Sequence, residues 1–136
     1  WKTEKGKSVL RAAKLRRRAR VNNLPYIFTV EDYDHMMEYW GYKCAYCGKG
    51  LDFWTTLAVD HWIPIASPVC PGTVPENMLP ACHNKKGAPK GTHCCNRTKS
   101  AKDPETWLIE TFGKRQAKVI LGRIHQYFLS LKRETT

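Results

Sequence analysis

The sequence predicts an α+β fold, mainly helical, in which a short β ribbon lies between N- and C-terminal helices. Three observations carry this. Apolar residues recur at helical spacing around 29–40 and again over about 114–132. Thr55-Thr56-Leu57-Ala58-Val59 is a β-type run, with Asn77-Met78-Leu79 as a candidate return strand. Between them in chain order stand a CxxC turn and a long loop, which leaves room for only a short sheet.

Taken from the N-terminus, residues 4–20 hold good helix formers with a thin apolar stripe of Val9, Leu10, Ala13 and Leu15, the pattern of a surface helix. Asn22-Asn23-Leu24-Pro25 ends it. Thr29 is placed to cap the next helix, with Asp32 three residues on giving a near capping box. Val30, Tyr33, Met37 and Trp40 mark that helix's apolar face, and Gly41 its stop. Residues 42–50 read as a knuckle around Cys44 and Cys47. The β run delivers Asp60 and His61 at its end, and Ser67 to Glu76, with three prolines and a glycine, is a loop. A helix is expected near Cys94–Asn96, another from Asp103-Pro104-Glu105 with Pro at its first position, and a last one from about Lys114 to Lys132. Ile120, Ile124, Tyr127, Phe128 and Leu131 give that last helix its core stripe.

With 136 residues the chain is expected to be a single domain. Its parts are a basic arm (1–23), a helix leading into the knuckle (24–43), a central unit (44–102) and C-terminal helices (103–136). The net charge of +11 is uneven. Residues 1–23 carry nine Lys/Arg against Glu4, whereas 24–62 hold six acids against Lys43 and Lys49. A basic region beside an acidic one suits a protein that grips phosphates and also holds a cation. Nothing resembles a signal peptide, and no apolar run approaches a membrane span, so the chain is expected inside the cell and off the membrane.

Six cysteines in such a chain are more often metal ligands than disulfides. Two thiolates spaced as Cys44 and Cys47 can reach one tetrahedral ion, and Gly48 lets the chain fold back. No βαβ pattern of a redox CxxC surrounds them, so structural zinc is expected. Cys82 is the third candidate ligand. The fourth is Cys95 or Cys94, with Cys70 a weaker choice; free thiols or a Cys70–Cys94 disulfide are the alternatives.

The order of motifs is CxxC, then Asp60-His61-Trp62-Ile63-Pro64, then Asn77-Met78-Leu79, then Cys95-Asn96-Arg97-Thr98-Lys99. Over residues 44–102 this resembles the HNH endonuclease family, whose core is a ββα-metal fold with, in some members, a structural zinc knuckle. The resemblance implies His61 as general base and Asn77 as the residue that holds the loop and orients that base. It implies Asn96 as ligand, with Asp60, to a catalytic cation. Cys44, Cys47, Cys82 and Cys95 would hold the zinc, and Cys95 is favoured over Cys94 because it keeps the family's order. Lys99 falls where the family has a phosphate-contacting lysine. Small free-standing relatives of this kind are frequent in phage genomes and near restriction systems, which makes the cytoplasm of a bacterial host the expected place.

The chemistry agrees with the resemblance. Phosphodiester hydrolysis needs a base for water and a counter-charge for the phosphate and its leaving oxygen. Histidine is a base near neutral pH. Asp60 and Asn96 offer only oxygen, so the expected catalytic ion is Mg²⁺ or Mn²⁺. Adjacent residues on a strand point to opposite faces, so a bend at the strand end is expected to bring Asp60 and His61 to one phosphate.

DNA is the expected partner, met by Arg16, Arg17, Arg18 and Arg20 on the N-terminal helix and by Arg97 and Lys99 near the site. Lys85, Lys86 and Lys90, in an insertion between Cys82 and Cys95, would form a finger over the backbone. A monomer would nick and a homodimer could cut both strands. Two other readings stand beside this one: a non-catalytic zinc-stabilised DNA-binding module, and a nuclease subunit active only with phage packaging or restriction proteins. Trp54 and Trp62 are expected to be packing residues, and His35 and His125 structural.

Overall fold

A computed structural model describes residues 24–134; the expected N-terminal helix and its Arg16, Arg17, Arg18 and Arg20 lie outside the described residues. The order of elements is α1 (Val30–Tyr39), β1 (Thr55–His61), a short 3-10 turn (Pro75–Asn77), β2 (Met78–Asn84), α2 (Cys95–Lys99), α3 (Pro104–Phe112) and α4 (Lys114–Glu134). Among the described residues this is a mixed helical arrangement with one small sheet, as the sequence predicts.

Helix α1 begins with the expected capping box. Asp32 N donates to Thr29 Oγ1 at 3.1 Å, and Thr29 N donates to Asp32 Oδ2 at 2.9 Å. Its buried face is Tyr33, Met36 and Met37. At its end Gly41 takes a φ of +66°, and Tyr42 N donates back to Met37 O at 2.9 Å, which satisfies carbonyls that the last turn leaves open.

The two strands run antiparallel, from Thr55 opposite Asn84 to His61 opposite Met78. Both ends of the ribbon matter: the His61 end faces the long loop, and the Thr55 end carries the 85–92 insertion. The core lies where Leu57, Met78, Leu79 and Ala81 of the ribbon meet Phe28, Met36, Tyr46, Trp107, Leu108 and α4. Asp103 caps α3 by accepting from Thr106 N at 3.0 Å, with Pro104 at the first helical position. On α4 the buried residues are Ala117, Ile120, Ile124, Tyr127 and Leu131, alternately three and four apart. Each large apolar side chain of that stripe contributes roughly 1.5–3 kcal/mol by leaving water. Phe128 sits at the margin of the core rather than within it.

Candidate metal centre and cleft

The four sulphurs of Cys44, Cys47, Cys82 and Cys95 all lie within 4.8 Å of one another. A tetrahedral zinc with bonds of about 2.3 Å needs its sulphurs about 3.8 Å apart; Cys47 and Cys82 stand at 3.6 Å. This cluster can hold a structural metal ion. Three local devices build it. In the knuckle, Cys44 N donates to Lys49 O and Gly48 N to Cys44 O, with Gly48 at φ +78°. Strand β2 presents Cys82 opposite Leu57. The first residue of α2, Cys95, donates its backbone N–H to Cys82 Sγ at 3.2 Å.

Cys94 takes no part in the cluster. Its thiol donates to Cys82 O at 3.4 Å, while Cys70 donates to Ile63 O at 3.3 Å, and all six cysteines are free. The alternative disulfide is therefore not formed. As thiols, the four crowded groups divide unevenly. Hydrogen bonding between Cys44 and Cys47 holds Cys44 above the ordinary thiol range and Cys47 below it. The bond with Cys44 draws Cys82 down to about 7 and pushes Cys95 up. As thiolates the four would repel one another, and a cation among them would relieve that repulsion.

At the other end of the ribbon Asp60, His61 and Asn96 line one cleft of about 400 Å³, walled also by residues 64–66 and 100–101. Strand pairing continues regularly through Asp60 and His61, so the expected bend is absent. The two side chains do diverge, and the loop and α2 close the cleft around them instead. On one face, Asp60 Oδ2 accepts from Tyr46 Oη at 2.6 Å and pairs with Lys99 Nζ at 3.0 Å. Burial raises the Asp60 carboxyl above its ordinary range, opposed by the Lys99 charge and the Tyr46 hydroxyl. Burial and then the Asp60 charge push Tyr46 up in turn. The Trp62 ring stacks on Tyr46 and lies 5.9 Å from Lys99 Nζ.

On the other face, His61 is 6 % exposed, with Nε2 2.9 Å from the buried Thr73 hydroxyl. Thr73 is itself pinned, since its N–H donates to Pro25 O and its carbonyl accepts from Ile27 N. The fully buried Asn77 closes the loop between: Oδ1 accepts from Ile63 N at 2.8 Å, and Nδ2 donates to Ile63 O and Gly72 O at 3.1 Å. Its backbone carbonyl accepts from Trp62 N at 2.7 Å. A Cβ at Gly72 would come within 2.5 Å of Pro25 O, so this approach needs glycine.

Lys99 departs from the sequence reading. The expected phosphate contact is 0 % exposed, and its ammonium is spent on Asp60 and on the His61 carbonyl at 2.8 Å. The one-turn helix α2 points it inward, whereas Arg97 stays exposed. Lys85, Lys86 and Lys90 are exposed and share a hollow with Arg97. Asn96 places its Nδ2 3.2 Å from His83 Nδ1. Trp62 is buried as expected, but Trp54 is not.

Sequence reasoning missed Tyr46 and Thr73. Tyr46 had one signal, an aromatic between the two knuckle cysteines. Thr73 had none, because only the folded loop brings it to His61.

Compared with known proteins, the chain matches no family model, no curated protein and no solved structure. Among the described residues, no helix is long and apolar enough to cross a membrane.

Proposed function

We propose that the chain is an HNH-type, metal-dependent DNA endonuclease with a ββα-metal core, stapled by zinc at its four cysteines. The observation that carries this reading is the shared cleft: Asp60, His61 and Asn96, from two elements far apart in sequence, line one cavity. In the reaction His61 takes the proton of the attacking water. Thr73 fixes its ring, and the tautomer that this bond selects decides which nitrogen is the base. Asn77 keeps the loop closed over that ring.

The oxygens available suit a hard cation. Tyr46 and Lys99 both meet Asp60 at Oδ2, so the ion would be met by the Asp60 carboxylate and the side-chain carbonyl of Asn96. Mg²⁺ or Mn²⁺ is the matching class, and when bound it supplies counter-charge to the phosphate and the leaving oxygen. The products are 5′-phosphate and 3′-hydroxyl ends. Exposed Lys85, Lys86, Lys90 and Arg97 supply the grip on the DNA backbone, together with the arginines of the N-terminal arm.

One observation favours the non-catalytic module: the Lys99 ammonium already meets the Asp60 charge. Supercoiled plasmid with Mg²⁺ or Mn²⁺ separates the two readings. Wild type nicks it and His61→Ala does not, with zinc content equal in both. Equal cleavage by the two proteins would remove His61 from its role. A wild type inert toward plasmid, yet binding it, would favour the module, and activity appearing only with an added packaging or restriction protein would make the chain a subunit.

A further inference from the structure

The Thr55–Asn84 end of the ribbon carries a second constellation, about 20 Å along β1 from His61 at the usual rise per residue. Phe53 is 77 % exposed and Trp54 37 % exposed, with ring centroids 4.6 Å apart at 87°. Phe53 adds nothing to the core, so packing gives no reason for a large ring there. The pair sits against the 85–92 insertion. Lys85 N donates to Trp54 O at 2.8 Å, and a Cβ at Gly87 would lie 3.7 Å from the Trp54 ring.

That insertion is two successive turns of one design. Ala88 N donates to Lys85 O, and Thr92 N to Pro89 O, each at 3.1 Å. The second position is Lys86 in one turn and Lys90 in the other; the third is Gly87 at φ +88° and Gly91 at φ +91°, where a left-handed residue is required. Asn84 Nδ2 ties the far end by donating to Thr92 O at 3.1 Å. Lys85, Lys86 and Lys90 thus stand on braced turns and share with Arg97 a hollow of about 260 Å³ that no acid lines. The acid on the aromatic turn, Asp52, is occupied in accepting from Trp54 N at 2.9 Å.

Four cations beside an exposed aromatic ring and a second, partly covered one match a ligand that offers phosphates and bare base faces together. Duplex DNA offers the phosphates but buries its base faces in the stack. We infer that Phe53, Trp54 and the double turn form a subsite for single-stranded nucleic acid, with the strand's phosphates at the lysines and its bases on the rings. This deepens the nucleic-acid reading above and is independent of chemistry at His61.

The test uses the zinc-loaded His61→Ala chain and fluorescence anisotropy of a labelled oligothymidylate 15-mer, alone or paired with its oligoadenylate complement. The single strand is expected to bind more tightly. Phe53→Leu with Trp54→Leu keeps apolar bulk but removes the π-faces, and should weaken single-strand binding on the order of tenfold or more. Duplex binding and zinc content should not move, and the melting temperature should fall only slightly, since the Trp54 ring loses its packing on the Gly87 turn. Replacing Lys85, Lys86 and Lys90 by Gln should weaken both ligands and flatten the salt dependence by about 0.7 per lost single-strand contact.

Equal affinity for strand and duplex, unaltered by the leucine pair, would overturn the stacking role. Concentration-dependent sedimentation of the wild type that the leucine pair abolishes, with oligonucleotide binding unchanged, would make this a protein contact and overturn the subsite. If the plasmid assay fails while the single strand still binds, the endonuclease reading falls and this one stands.

Discussion

The ammonium of Lys99 stands 3.0 Å from Asp60 Oδ2 and 2.8 Å from the His61 carbonyl, sealed from solvent, so one cation fixes both residues of the Asp-His pair. Asp60 itself is only 12 % exposed. Removing one partner of a buried pair strands the other's charge, which typically costs about 3–5 kcal/mol. Lys99→Met should therefore lower unfolding stability by that order in a denaturant titration. A surface phosphate contact would leave the midpoint almost unchanged, and that result would return Lys99 to the surface.

Asn77 is a second buried brace, and its test is local. Asn77→Ala removes the acceptor of Ile63 N–H and the donor to Ile63 O and Gly72 O. Each buried group left unsatisfied costs roughly 1–3 kcal/mol. Hydrogen exchange at the Ile63 amide should accelerate well beyond any change at the centre of β2. Uniform acceleration through the chain would mean that Asn77 braces the whole fold rather than the loop.

The two adjacent cysteines of α2 differ in consequence. Cys95→Ser should lose most of the bound zinc and the cooperative melt, because its sulphur belongs to the four-membered cluster. Cys94→Ser should keep a full equivalent of zinc, since that thiol meets only a carbonyl and, at 4.0 Å, His83. Metal analysis of both purified variants decides; the reverse pattern would exchange their roles.

Ser100, at the cleft wall, is held at φ +43° and ψ −129°, a region that favours glycine. Strain of this kind costs about 1–3 kcal/mol. Ser100→Gly should raise the stability by about 1 kcal/mol, less than the full strain because glycine also loses more entropy on folding. A destabilised glycine variant would show that the serine side chain matters more than its backbone.

Where local chemistry decides, the sequence was a good guide. Thr29 and Asp32 formed their box, the CxxC formed a knuckle, and Asp60, His61 and Asn96 line one cleft. Where the third dimension decides, it was not. Nothing in Cys95-Asn96-Arg97-Thr98-Lys99 says that a one-turn helix turns its lysine inward while the arginine two residues earlier stays in water. The bend expected at Asp60 came from asking two neighbours to reach one point; the loop after Trp62 and helix α2 supply the closure instead. The inserted lysines were legible as charge, but the matched turns that brace them, and the bare aromatic pair beside them, emerge only when Thr55 pairs with Asn84.

Cys95 is the last of the four clustered thiols in the chain, and Asn96 follows it directly. During synthesis the knuckle and both strands leave the ribosome before the final ligand exists. An ion held by this cluster would act as a drawstring: one event would tie the ribbon to α2 and at the same moment set Asn96 on the cleft. A chain without that ion would leave the ribbon untied from α2 and Asn96 unplaced, so the cluster would make the shape of the cleft conditional on metal supply.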